Sequence, residues 1–446
     1  MSEPVDLAVI GAGPAGMACA IAARRRGLSV TVIDEQPAPG GQIWRDLERA
    51  GRFARPKAMY SEHALGLRTI AGFRACGAQY LPDSQLFQIE PGWRLFVRGN
   101  GRVRVLGARQ LVIATGAIER PVVFDDWTLP GVMTVGAAQI LLKRSGLVPS
   151  SPVWLAGYGP LVLLYAHQLL AAGGRIGGVI DTGPAATAGW LRPLLGAVRH
   201  AAPDLAKGAA WLARLKLAGV AVFRAAGFAA EGRERLEAIA VTDRAGRVRR
   251  FPAEMLFVHE GLVPRTHDAM LAGTGHVWDT AQGCLVADPA AGEDLPVRVI
   301  GDAARIAGAR AALVAGAHAG AGGDGPPPGG GHARDAALRR FLDAWYPPRP
   351  LTGSLPGTTP VCRCEEITAA AIRAEAVAQG LDQIKGDTRA GMGRCQGRQC
   401  SIDVAQLHGL ASGRPGADRQ TYRARPPLKP LRLGELAALG TDDEPR

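Results

Sequence analysis

One stretch limits the fold more than any other. Residues 6–35 read DLAVIGAGPAGMACAIAARRRGLSVTVIDE. Leu7 to Ile10 is a short apolar run of strand type, and Gly11, Gly13 and Gly16 follow at GxGxxG spacing. From Pro14 to Arg26 the composition favours a helix, with Pro14 suited to its first turn. Gly27 ends that helix, Ser29 to Ile33 reads as a second strand, and Asp34 and Glu35 stand at its end. The spacing predicts a βαβ unit of about 30 residues. The glycines allow a tight turn, close approach of the backbone to a pyrophosphate, and close helix–strand packing. The first turn of the helix, which Pro14 opens without an N–H of its own, offers free N–H groups to phosphate from Ala15 onward. Asp34 lies 23 residues after Gly11. That distance suits a carboxylate accepting hydrogen bonds from ribose hydroxyls, and Glu35 is its near competitor. The unit reads as a dinucleotide site.

A second unit of the same design runs from Val153 to Asp181, with Gly157 and Gly159 at its turn. Val162 stands at the third glycine position. A branched side chain there is expected to push helix from strand and distort the turn. Asp181 is placed to hold a ribose, and its charge opposes a 2′-phosphate. NADH or another adenine nucleotide is the expected occupant of a working site. The nearly uncharged run Pro152–Gly174 has the length of a membrane span, but its glycines, Pro160, His167 and Gln168 favour strand, turn and helix.

Between and after these units, residues 85–113 alternate apolar and polar positions around a hairpin signal at Gly99-Asn100-Gly101. Residues 236–258 are similar, with a turn at Ala245-Gly246. Residues 295–318 read as a strand, a turn at Gly301-Asp302 and an Ala-rich helix. The Gly- and Pro-rich run 321–333 predicts a linker or exposed loop, and the chain from Gly413 reads as irregular.

The 446 residues suggest about three domains. Apolar residues at 47% and charged residues at 21% exclude a largely disordered chain. The formal charge of +12 raises nucleic acid as a partner. Nearly all of it is Arg in an Ala- and Gly-rich chain, which compositional bias explains, so no nucleic-acid role is expected. Glu3 and Asp6 precede the first apolar run, which is no signal-peptide pattern. The expectation is a chain without a transmembrane segment in a reducing compartment: cytoplasmic, either free or peripheral at the inner membrane.

Cys19, Cys76 and Cys284 are scattered, but Cys362-x-Cys364 and Cys395-x4-Cys400 crowd the C-terminal part. Four thiolates on two short loops can surround a soft metal centre. A [2Fe–2S] cluster is favoured over zinc, whose paired cysteines are usually two to four residues apart. Thr368 reads as an N-cap and Ala369 to Gln379 as a helix ending at Gly380. Gly391, Gly393 and Gly397 free the backbone to turn around sulfur. Six histidines show no metal spacing, and His259-Glu260 alone is placed to face a nucleotide. No catalytic acid or base is assigned.

Residues 5–320 resemble the two-dinucleotide flavoproteins, the class of glutathione and thioredoxin reductases. Gly40-Gly41-Gln42, Ala114-Thr115-Gly116 and Gly301-Asp302 stand where that family has its flavin-side loop, its return strand and its ribityl or pyrophosphate aspartate. The resemblance implies FAD at the first unit and NAD(P)H at the second. No CxxC precedes Cys362, so disulfide reduction is not expected. Residues 361–411 resemble the bacterioferritin-associated-ferredoxin type of [2Fe–2S] domain. The whole chain is similar to the FAD subunit of bacterial hetero-oligomeric amine and amino-acid dehydrogenases. These include octopine and nopaline oxidases, hydrogen cyanide synthase, and proline or D-hydroxyproline dehydrogenases. That implies a D-amino-acid-oxidase-like flavoprotein partner that oxidises a C–N bond, a small additional subunit, and electron relay by this chain.

The expected fold is α/β. It has an FAD domain at 1–122 and 275–330 and a second Rossmann-like nucleotide domain at 123–274. A linker at 331–356, a small mainly helical [2Fe–2S] domain at 357–413 and a tail at 414–446 follow. Two other functions remain: a freestanding NADH-dependent flavin reductase, and a non-enzymatic iron–sulfur module.

Overall fold

Two seven-stranded sheets organise the chain in a computed structural model. It describes residues 3–183, 188–288, 296–323, 333–349, 355–437 and 439. In the first sheet, strands Val5–Ile10 and Val30–Ile33 pair in parallel, joined by the helix Pro14–Arg25. Val30–Ile33 also pairs with Gln79–Leu81. The strand Arg102–Ile113 serves two partners. Its C-terminal half pairs in parallel with Val5–Ile10, and its N-terminal half pairs with Arg94–Gly99 in the hairpin expected at Asn100-Gly101. Both turn residues have positive φ, which Asn and Gly tolerate best.

The first sheet is completed by Val297–Val299, which pairs in parallel with Arg102–Ile113. The helix Ala309–Gly320 then packs on Pro14–Arg25. Small residues make that contact close: a Cβ on Gly316 would lie 2.0 Å from the Ala15 carbonyl oxygen. Cys19 is buried in this interface, and burial pushes its thiol up to about 12, so it is an inert packing residue.

The second sheet has Val153–Gly157 between Ile176–Asp181 and Met255–His259. Val132–Thr134 closes one edge, and three antiparallel strands from Val222 to Pro252 extend the other. The helices Val135–Ser145, Pro160–Ala171 and Leu191–Leu217 belong to this unit. No helix among the described residues is long and apolar enough to cross a membrane.

Three expectations need correction. The 331–356 linker contains the helix Ala333–Trp345, which packs along Leu191–Leu217. Most of the 321–333 run, residues 324–332, lies outside the described residues. The helix begun by Thr368, whose hydroxyl accepts the Ala371 N–H, ends at Ala374 rather than Gln379, in a turn that buries Ala378. The chain from Gly413 is mostly irregular as expected, but Tyr422 belongs to the core of the cysteine module and Leu428 is buried.

Candidate functional site

At the first glycine turn, Gly11 has φ +103, and a Cβ there would meet the Ala114 carbonyl oxygen at 2.5 Å. A Cβ on Gly16 would lie 1.9 Å from the Gly11 carbonyl oxygen. Around Gly13 only the Gly41 Cα comes within 4 Å of a built Cβ, so the space before the helix is open. The helix carries no side-chain cap and no acid in its first turn. Gly301 reaches the same place, its built Cβ 2.8 Å from the Ala15 methyl. The fold thus joins segments 11–16, 40–42, 114–116 and 301–302, as the sequence pattern expects. Such a cradle fits a dinucleotide pyrophosphate.

The two candidate acids divide their roles. Asp34 is buried and accepts the N–H groups of Ala12 and Gln36. Burial raises its pKa, and those two hydrogen bonds oppose the shift. Glu35 instead pairs with Arg265 at 2.7 Å and with Lys429 of the C-terminal segment. Burial alone would push Glu35 up, but Arg265 and Lys429 hold it down to about 2. Glu35 is therefore an anchor for the C-terminal segment rather than a free ribose ligand. Asp302 Oδ1 accepts the N–H groups of Ala307 and Gly308 at 2.8 and 3.0 Å, which shapes the loop before the last helix of this unit.

The second turn differs. Gly159 has φ +105 where Gly13 has −74, in line with the distortion expected from Val162. Gly157, Tyr158 and Gly159 are all buried. The chain after Trp345 covers them. Tyr346 stacks on Tyr158 at 6.2 Å, and the Arg349 N–H donates to the Tyr158 hydroxyl at 3.0 Å. The Arg349 guanidinium donates to the carbonyls of Thr182 and Ala226. Asp181, at the strand end, accepts the Gly183 N–H at 2.9 Å, and its charge adds to burial in raising the Tyr346 hydroxyl. His259 lies against this turn, buried, with its Nδ1 2.6 Å from Glu119. The crevice of the second unit is filled by its own chain.

In the C-terminal module the four cysteines form two neighbouring pairs, Cys362 with Cys400 and Cys364 with Cys395. The Cys400 thiol draws Cys362 down to about 6 against the effect of burial, helped by backbone N–H groups. One is Gly391, which donates to Cys362 Sγ at 3.4 Å. Gly393 leaves room for Cys364, whose Cβ would sit 2.2 Å from an added methyl. Gly391 and Gly397, both at positive φ, lie against the Tyr422 ring. The Tyr422 hydroxyl is buried facing the Cys400 sulfur without closing a hydrogen bond of normal geometry. Among the described residues no three His, Cys, Asp or Glu side chains converge as one metal ion would require. Two thiol pairs side by side are the donor set of a tetrathiolate centre, whether a [2Fe–2S] cluster or a single zinc. Trp127 Nε1 donates to the Pro360 carbonyl at 2.7 Å, and the Leu428 N–H donates to Phe87 at 2.8 Å. These bonds tie the C-terminal region to both nucleotide units.

Comparison with known proteins decides the family. The chain is 37% identical over 462 residues to the A subunit of opine oxidase from Rhizobium meliloti, covering 97% of this chain and 98% of that one. The chain belongs to the opine oxidase A-subunit family. It is also 30% identical to hydrogen cyanide synthase subunit HcnB of Pseudomonas protegens, over 95% of each chain. Residues 5–156 match the pyridine nucleotide-disulphide oxidoreductase family, and residues 358–440 match the sarcosine oxidase A3 domain. The fold resembles L-proline dehydrogenase from P. horikoshii, with TM-score 0.69, 18% identity, and coverage of 97% of this chain and 79% of that one. This member of the opine oxidase A-subunit family is an FAD-dependent oxidoreductase.

The A3 match runs to residue 440, past the expected module end at 413 and into the segment holding Tyr422 and Lys429. Sequence reading of this family member missed Tyr346, Arg349 and Lys429. The one signal in reach was Tyr158, an aromatic residue inside a glycine turn.

Proposed function

We propose that this chain is the FAD- and [2Fe–2S]-containing electron-transfer subunit of a multi-subunit dehydrogenase or oxidase. The enzyme would oxidise the C–N bond of a small amino acid or amine of opine, proline or glycine type. A D-amino-acid-oxidase-like flavoprotein subunit would supply the electrons. One observation carries the reading: two adjacent thiol pairs sit in a module docked on both nucleotide units of a chain that aligns end to end with the A subunit of opine oxidase.

When bound, FAD supplies two-electron chemistry and the cluster one-electron transfer. Gly11, Gly13, Pro14, Ala15 and Gly16 would receive the FAD pyrophosphate. Asp34 fixes the turn through the Ala12 N–H. Gly41 and Gln42, residues 114–116 and Gly301-Asp302 would line the remainder. Cys362, Cys364, Cys395 and Cys400 would hold the cluster, with the Gly391 N–H stabilising negative sulfur. In this reading residues 1–122 and 275–330 form the FAD unit, and 123–274 form a second nucleotide-type unit. The cytoplasm, free or at the inner face of the membrane, is the proposed location.

The filled crevice at Gly157–Gly159 disfavours a freestanding NADH-dependent reductase. Rapid mixing of the purified flavoprotein with NADH is therefore expected to leave the flavin absorbance unchanged. Bleaching within the first turnover would instead establish the reductase reading. Purification of the untagged protein from its source should bring down a second flavoprotein chain.

A further inference from the structure

Lys143 is buried, yet it pairs with no carboxylate among the described residues. It rises from the helix Val135–Ser145 of the second nucleotide unit and crosses to the first. Its Nζ donates to the Ile43 carbonyl at 3.0 Å, reaches the Gln42 carbonyl at 3.5 Å, and lies 5.4 Å above the Tyr60 ring. Arg45 is buried on the same loop. Its guanidinium donates to the Gln42 side-chain oxygen at 2.9 and 3.2 Å and to Gln36, and its carbonyl accepts the Tyr60 hydroxyl. With Gln42 Oε1 taken by Arg45, its amide N–H₂ is left to donate outward.

This loop is braced against the first glycine turn. The Gly40 N–H donates to Ala12 at 2.8 Å, and a Cβ on Gly41 would come 3.0 Å from the Gly13 Cα. Buried cations without a partner are costly, and a nearby anion relieves that cost. We propose that Lys143 is a positioning residue, lent by the second unit, that holds the Gly40–Gln42 loop against the phosphates of the dinucleotide at Gly11–Gly16. The pyrophosphate is the counter-ion that Lys143 lacks, and it adds to the negative field that Asp46 and Asp34 already exert on Arg45. The inference rests on the FAD reading above.

A pH dependence follows. Burial, with Arg45 close by, pulls Lys143 down to about 7. The ionisable groups that face it are Arg45 and Tyr60; behind them Asp46, Asp34 and Arg144 act on Arg45, and Arg52 and Asp46 on Tyr60. Burial pushes Tyr60 up to about 12, and the arginines stay charged at neutral pH. Anion binding favours the ammonium and so raises the Lys143 pKa in the complex. The extra affinity is fully present below the free value near 7 and is lost as pH rises through the higher value of the complex.

The test is FAD titration of the full-length, flavin-stripped protein from about pH 6 to about pH 9, followed by flavin fluorescence. The wild-type Kd should rise above neutral pH by up to about tenfold per unit. K143M should bind about tenfold more weakly at low pH, with no such slope. K143R, which keeps the charge, should bind tightly and also lose the slope. A folded K143M with wild-type affinity at low pH overturns the inference, as does a slope that persists in K143R. K143R alone decides the matter should K143M not fold. A wild-type chain that takes up no FAD at any pH overturns the FAD reading itself, and this inference with it.

Discussion

Cys400→Ala is expected to strip the C-terminal module of its metal. Cys400 is buried against Cys362, with Tyr422 behind it. A [2Fe–2S] centre takes two thiolates per iron, so losing one opens a coordination position. Iron should fall from about two atoms per chain to a small fraction of that. The visible cluster absorption and the electron-spin signal of the reduced protein should disappear together. Metal coordination contributes folding energy, so the module should also become more sensitive to protease. FAD content should stay near the wild-type level. Cys76→Ser is the control, since Cys76 sits at the end of the helix His63–Ala75 and should leave iron unchanged. Iron retained in C400A would remove Cys400 from the ligand set. One zinc per wild-type chain, with no iron, would end the relay reading.

Gly16→Val should empty the FAD site. The substitution places in the first unit what Val162 already places in the second. A Cβ at residue 16 would lie 1.9 Å from the Gly11 carbonyl oxygen and 3.3 Å from Val9 Cγ1. Backbone cannot yield as a side chain does, so the helix must move off the strand and open the phosphate turn. Overpacking of this kind costs about 1–3 kcal/mol. The chain should fold with a lower Tm but keep less than about a tenth of its flavin, a loss of at least ~1.4 kcal/mol in binding. The flavin-to-protein ratio after purification measures this directly, and full occupancy in G16V would move the FAD site elsewhere. The converse substitution, Val162→Gly, should not confer NADH oxidation, because Tyr158, Tyr346 and Arg349 still fill the second crevice.

Local chemistry was legible in the sequence where it needs particular residues at particular spacings. Gly11, Gly13 and Gly16 work only in that order, and Gly301-Asp302 does lie against the first turn of the first helix. The two cysteine motifs were equally visible, because few folds have use for C-x-C followed by C-x4-C, although in space Cys362 sits with Cys400 and Cys364 with Cys395. What escaped were contacts between distant parts of the chain. Arg349 reaches Thr182 across more than 160 positions, and Lys429 reaches Glu35 across nearly 400. No period or motif marks such partners. The helix Ala333–Trp345 was hidden for a different reason. Its flanks are rich in Gly and Pro, and Arg334, Asp335, Arg339 and Asp343 give it the polar look of a linker. Their charges are instead spent within the structure, Arg334 on Asp204 and Arg339 on Asp343.

The strand Val297–Val299 carries a consequence for synthesis. It pairs with Arg102–Ile113, roughly 190 residues earlier in the chain. During translation the N-terminal βαβ unit leaves the ribosome long before this partner exists. One flank of Arg102–Ile113 therefore waits with unpaired N–H and carbonyl groups while the whole second unit is made. Closing so long a loop is slow compared with forming the local hairpins around it. The nascent chain should thus pass through a stage in which the second unit is folded and the first is still open. In that interval a chaperone has an exposed edge to grip, and flavin has its widest path of entry.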